Sequence, residues 1–175
     1  MFKILSLNSL SLSTISPGPA LSNPIITKLL MQFAKHIVFL IDDDNIYQFT
    51  ARKILESTGL AKKIQSFYNG REAIKYLQDH DNCKPENLPD VIFLDINMPV
   101  MNGWEFLEEY HTFCGGFPKP IVVYVVSSSI DSYDIKKSRE YKAVTDYIVK
   151  PITRIRYLEL IESLGTGAIT QSTSD

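Results

Sequence analysis

Five short apolar runs divide the sequence: Ile37–Ile41, Lys63–Phe67, Val91–Asp95, Ile121–Val126 and Asp146–Val149. Four are rich in Val, Ile, Phe or Tyr, and three are almost unbroken. An unbroken run leaves no polar face for water, so these segments read as strands covered on both sides, as in a parallel sheet. Lys63–Phe67 is the least marked of the five.

Helical spacing fills the gaps. Tyr47, Ala51, Ile54 and Leu55 share one helix face, and Gly59 ends that helix. Asn69 can cap a second helix that turns Ala73, Ile74 and Leu77 inward. A third carries Trp104, Phe106, Leu107 and Tyr110 and stops before Gly115-Gly116. A fourth starts at Asp131 and includes Ile135, and a fifth sets Tyr157, Leu158, Ile161 and Leu164 on one side. Strands alternating with single helices predict an α/β fold, a doubly wound, flavodoxin-like (βα)5 sandwich. Its five-stranded parallel sheet is expected in the order 2-1-3-4-5. The connections Asp79–Pro89 and Thr112–Pro120 are longer than such turns usually are.

The 175 residues suit one domain with tails. The folded domain is expected over 35–164, after an N-terminal extension (1–34) and before a polar tail (165–175), both read as disordered. Residues 1–28 lack acidic side chains and are Ser-rich. Lys3 ahead of a mildly apolar stretch imitates a signal peptide, but serines and Asn8 interrupt it. Met31 is an alternative start, and a cytoplasmic protein is expected. No apolar run approaches the roughly 20 residues that cross a bilayer, so no membrane partner is expected. A net charge of -2 argues against a nucleic-acid-binding face. Cys83 and Cys114 stand apart, as do His36, His80 and His111, so neither a disulfide framework nor a zinc site is expected.

In a doubly wound sheet the site forms beyond the carboxyl ends of the strands. Asp42, Asp43 and Asp44 follow the first run, Asp95 ends the third, Ser127, Ser128 and Ser129 follow the fourth, and Lys150-Pro151 follows the fifth. Singly, each has a plain explanation: a solvated turn, a helix cap, loop polarity, a common dipeptide. Together they bring carboxylates, a hydroxyl and an ammonium to one edge. Clustered carboxylates repel one another unless a hard cation such as magnesium (Mg2+) compensates them. One carboxylate can then attack a phosphoryl group, while the hydroxyl and ammonium bind its remaining oxygens.

The stretches VFLIDDDN, VIFLDINMPVMNGWEF, VVYVVSSS and DYIVKP resemble the receiver domain of two-component response regulators, over roughly Lys35 to Leu164. The resemblance implies that Asp95 is the phosphoacceptor. It implies that Asp43 ligates Mg2+ directly, that Asp42 holds a metal-bound water, and that the backbone carbonyl of Asn97 completes the protein's share. Lys150 would pair with the phosphoryl group, Ser127 would be the hydroxyl switch with Ser128 close enough to compete, and Tyr147 the aromatic switch. The Lys150-Pro151 bond is commonly cis in this family. The implied protein is a stand-alone phosphoacceptor rather than an enzyme. It would be charged by a sensor histidine kinase or histidine phosphotransfer protein and read by a downstream protein target. As the family does, it would exist as a monomer, or as a dimer through the α4-β5-α5 face, residues about 131 to 164. Only about 11 residues follow Leu164, so output is expected through protein contact.

Ser127 stands where Thr is commoner in the family, and HTFCGGFPKP is an unusually long segment after the third helix. The wording SSSIDSYDI is similar to that of small stand-alone receivers. Three rivals fare worse. A haloacid-dehalogenase-type phosphatase wants an Asp two residues after its nucleophile, and position 97 is Asn. A degenerate receiver, binding partners without phosphorylation, usually lacks the acceptor, the acid pair or the lysine, all present here. A nucleotide-binding loop would need GxxxxGK or GxGxxG after a strand, and neither occurs.

Overall fold

The computed structural model describes residues 36–164. Strands β1 (His36–Ile41), β2 (Ala61–Phe67), β3 (Val91–Leu94), β4 (Val122–Ser127) and β5 (Val144–Val149) form one parallel sheet in the order β2-β1-β3-β4-β5. Helices α1 (Asn45–Thr58), α2 (Gly70–Gln78), α3 (Gly103–Phe113), α4 (Ser132–Ser138) and α5 (Arg154–Leu164) alternate with the strands. The expected architecture and strand order are thus observed. Residues 1–34 with Met31, Lys35, and the tail 165–175 lie outside the described residues. No described helix is long and apolar enough to cross a membrane.

The unbroken apolar runs split by strand periodicity into two cores. Ile37, Phe39, Ile41, Ile92, Leu94, Val123 and Val125 face α2 and α3, meeting Ala73, Ile74, Leu77, Phe106 and Leu107. Val38, Leu40, Val91, Phe93, Tyr124, Val126 and Ile148 face α1 and α5, meeting Ala51, Leu55, Tyr157, Leu160 and Ile161. Helix α4 is the exception, since Ser138 is its one buried residue.

Side chains set the helix starts. Asp44 accepts from the Ile46 and Tyr47 amides at the head of α1, and Gly59 closes that helix in the left-handed region at φ 72°. Asn69 caps α2, Asp131 caps α4, and Asn102 with Glu105 forms a capping box on α3.

The differences from expectation are local. Strands β2 and β5 start earlier than their apolar runs, and β3 stops at Leu94, leaving Asp95 just beyond the sheet. Helix α5 also buries Leu160, while the expected Leu158 and Leu164 pack half-buried against the same core. In α1 the polar Gln48 is buried, while Tyr47 and Ile54 are only half-buried.

The long segment after α3 has a packing role. A short 3-10 turn (Cys114–Gly116) brings Phe117 back to Phe113 and Tyr110, with ring centroids 5.7 and 6.2 Å apart respectively. Lys119 Nζ then reaches Asp90 Oδ1 at 2.7 Å, while Asp90 Oδ2 accepts the Ile37 amide at 2.7 Å. The segment thereby ties α3 to the amino-terminal edge of β1 and β3, opposite the acidic edge. His36 Nδ1 lies 3.9 Å from Asp90 Oδ2. Burial lowers the His36 pKa from 6.5, Asp90 opposes this and Lys119 reinforces it.

A lowered imidazole pKa favours the neutral ring in the fold. The stability it contributes is present above 6.5 and is lost as pH falls through the native value. Urea midpoints of His36→Gln should therefore fall less steeply than wild type between about pH 7 and pH 5, largely above the carboxylate range. Parallel curves would remove His36 as the source.

Candidate functional site

Backbone hydrogen bonds suspend the acidic edge from neighbouring strands. The Asp42 amide donates to the Phe67 carbonyl at 3.0 Å, the Asp95 amide to Ile41 at 2.8 Å, and the Lys150 amide to Ser127 at 2.8 Å. These three residues are therefore fixed by the sheet rather than by a free loop. Gln48 adds a clamp, its Nε2 donating to the carbonyls of Asp42 at 2.7 Å and Phe67 at 2.8 Å.

Three predicted site residues meet directly. Asp42 and Asp95 are 3% and 4% exposed, and Lys150 Nζ bridges them, 2.6 Å from Asp42 Oδ2 and 2.9 Å from Asp95 Oδ1. The second oxygens take amides: Asp44 N–H donates to Asp42 Oδ1 at 3.0 Å and Asn97 N–H to Asp95 Oδ2 at 2.7 Å. Burial pushes the Asp42 carboxyl up, with Lys150 opposing. Burial also works against the Lys150 ammonium, but the two carboxylates outweigh it and hold its pKa above the ordinary value.

The other predicted residues are arranged around this bridge. Asp43 and Asn97 are exposed. Ser127 is fully buried and its Oγ accepts the Ser129 amide at 3.1 Å, whereas Ser128 faces solvent. Tyr147 donates its hydroxyl to the Ser129 carbonyl at 2.8 Å. Ser127 and Tyr147 thus meet through one residue, Ser129, rather than directly. Ser129 in turn donates its hydroxyl to Asp134 Oδ2 in the first turn of α4, at 2.7 Å. The Lys150-Pro151 bond is cis, as expected.

Sequence reading missed several residues. The Tyr47 ring lies 4.3 Å from Lys150 Nζ, and its hydroxyl is 3.3 Å from that of Tyr157. Both tyrosines looked like ordinary inward helix positions. Gln48 lies outside the apolar face of α1, and a polar residue in a first turn gives no sign of facing two strand-end carbonyls. Gly103 is required by close approach: a Cβ there would come within 2.7 Å of Ile96 Cα and closer still to the Asp95 carbonyl oxygen. The loop before it is tight. Val100 has φ 69° and its neighbours close an i→i+2 bond, Met101 N–H to Pro99 O at 2.7 Å, a strained γ-turn.

The donors at this edge are all oxygens, the set a hard cation takes. Among the described residues no three His, Cys, Asp or Glu side chains converge as a ready chelate. Mg2+ usually takes one or two carboxylates and keeps several waters, so the converging pair Asp42 and Asp95, already bridged by one cationic group, fits it.

Comparison with known proteins agrees with the fold. The model of the response regulator receiver domain family matches residues 38–162. A probable methanogenesis regulatory protein, FilR2 of Methanothrix harundinacea, is 26% identical over 67% of this chain and 73% of its own length. The chain spans half or less of the length of several other curated relatives. A two-component response regulator from Cytophaga hutchinsonii superposes with a TM-score of 0.67 at 32% identity, covering 74% of this chain and 97% of that one. The phosphorylated cyanobacterial phytochrome response regulator RcpA gives 0.61 at 26% identity, covering 80% and 98%.

Two substitutions test the architecture of this edge. Lys150→Met leaves two buried carboxylates without their cation and should cost about 3 kcal/mol in metal-free buffer, read from urea midpoints with a chelator present. An unchanged midpoint would show that the bridge is not needed in the fold. Gly103→Ala should cost about 2 kcal/mol by forcing α3 away from the Asp95 backbone, and an amide-shift map should centre the disturbance on residues 95–103.

Proposed function

Because the chain belongs to the response regulator receiver domain family, we propose that Asp95 accepts a phosphoryl group from a phosphohistidine and that the charged form signals by protein contact. The observation that carries this reading is the bridge of Lys150 Nζ to Asp42 and Asp95 at the carboxyl edge of the sheet. The donor would be a sensor histidine kinase or a histidine phosphotransfer protein. The phosphorylated state of the cyanobacterial relative supports the same chemistry. The protein would act in the cytoplasm as a phosphoacceptor, with at most its own phosphorylation and dephosphorylation as activity.

Asp42, Asp43, Asp95 and the backbone carbonyl of Asn97 would hold Mg2+, which when bound neutralises the crowded carboxylates and draws charge from the transferring group. An Asp95 carboxylate oxygen attacks phosphorus as the bond to the imidazole nitrogen breaks, and the imidazole departs. The Asn97 amide, now bonded to Asp95 Oδ2, keeps the carboxylate oriented. Lys150 exchanges a carboxylate oxygen for a phosphoryl oxygen, a short move for an ammonium already at the acceptor. Catalysis here is chiefly positioning and charge.

Readout would begin at Ser127. Its Oγ accepts the Ser129 amide, so turning the hydroxyl to donate to a phosphoryl oxygen would pull on Ser129, whose carbonyl Tyr147 holds. Helix α4, with one buried residue, can shift at small packing cost. We place the partner surface on α4, β5 and α5, where a downstream target or a second copy of the chain would bind one state better than the other.

Incubated with Mg2+ and acetyl phosphate, the protein should gain one phosphoryl group by intact mass, and Asp95→Ala should gain none. No gain in wild type with ample donor would favour a receiver that binds partners unphosphorylated.

A further inference from the structure

Lys150 is held on three sides, and two of them are the carboxylates already described. The third is the face of Tyr47, 4.3 Å from Nζ. We infer that Tyr47 is a positioning residue for Lys150 during phosphoryl acceptance, an assignment that rests on the phosphoacceptor reading of Asp95.

An ammonium on a four-carbon stem is strongly hydrated and flexible, so without restraint it swings towards water. Here the Lys150 side chain is only 13% exposed. Its carboxylate restraints change in the reaction: once Asp95 becomes an acyl phosphate, its carboxylate charge is gone and the negative charge sits on the phosphoryl oxygens. The quadrupole of the Tyr47 ring does not change. A ring face attracts a cation over a broad area, so Nζ can pass from one oxygen to the next while staying inside the cleft. A carboxylate in its place would pin the ammonium, and an aliphatic side chain would not attract it.

The ring is itself held. Tyr47 sits in the first turn of α1, directly after the Asp44 cap. Its hydroxyl meets that of Tyr157, which is 1% exposed and packs edge-on against Phe93 with centroids 5.1 Å apart. Phe93 belongs to β3, the strand that delivers Asp95. The two groups that must meet the phosphoryl are thereby referenced to the same strand, Asp95 through the chain and Lys150 through Tyr47 and Tyr157.

The test compares Tyr47→Phe, Tyr47→Leu and Tyr47→Met in the full chain, with and without Lys150→Ala, using acetyl phosphate and Mg2+. Tyr47→Leu and Tyr47→Met should lower the maximal phosphorylation rate about tenfold, with half-saturating donor and Mg2+ unchanged. Tyr47→Phe keeps the ring and should stay within about threefold of wild type. In the Lys150→Ala background, loss of the ring should add nothing further. Wild-type rates in both non-aromatic variants, a Tyr47→Phe as slow as they are, or their full effect persisting without Lys150 would each overturn the role. If wild type itself takes no phosphoryl group, the parent reading fails. If wild type is phosphorylated and Tyr47→Leu matches it, only the Tyr47 assignment fails.

Discussion

Two carboxylates buried side by side demand a cation, and the acidic edge is organised around that demand. Asp42 and Asp95 leave adjacent strands, and Lys150 arrives between them from the far edge of the sheet. Removing either kind of charge leaves the other desolvated and unpaired, which costs far more than the pair itself contributes. The arrangement is therefore a poor source of net stability and a good source of reactivity. Burial raises the energy of the Asp42 carboxylate, and any further positive charge at the mouth lowers it.

The sheet makes this edge possible by being dry on both faces. Alternate residues of β1, β3 and β4 serve opposite cores, so the strands have no freedom to slip by one position without inverting both. That fixed register carries through the last amide of each strand to Asp42, Asp95 and Lys150. The amino-terminal edge is closed differently, by the ring group of Tyr110, Phe113 and Phe117 and by the Lys119–Asp90 pair. The long return after α3 is thus accommodated at this edge, away from the acidic side.

What the sequence made legible follows the same division. Strand number, order and helix faces could be read because continuous apolar runs and helical spacing are direct consequences of burial. Asp42, Asp95 and Lys150 could be placed at one edge because topology dictates where strands end. Tyr47 and Gln48 could not, since their contacts depend on the angle at which α1 leaves β1, set by the Asp44 cap and invisible to periodicity. Nor could the role of residues 112–120, whose aromatic residues announce burial without saying against what. On α5 the expected Leu158 and Leu164 do pack against the core, partly buried. Leu160, two positions past Leu158 and buried, did not stand out, since helical spacing among several apolar residues does not rank them by depth.

The response to added charge is constrained by which parts of the edge are rigid. Asp95, Ile96 and Gly103 are locked by a backbone approach that admits no Cβ, and the Lys150 amide is tied to β4. The parts proposed to move lie on the other side: the Ser127 hydroxyl, Ser129, Tyr147 and a thinly packed α4. Ser129 is the common member of that set, bonded to Ser127 through its amide, to Tyr147 through its carbonyl and to Asp134 through its side chain. Because the amide, carbonyl and hydroxyl belong to one residue, a change of backbone angles at Ser129 would shift these contacts together. Under the proposed phosphorylation of Asp95, coupling to the α4-β5 surface would need no long path, only a rearrangement at residue 129 whose balance the Ser127 hydroxyl would set.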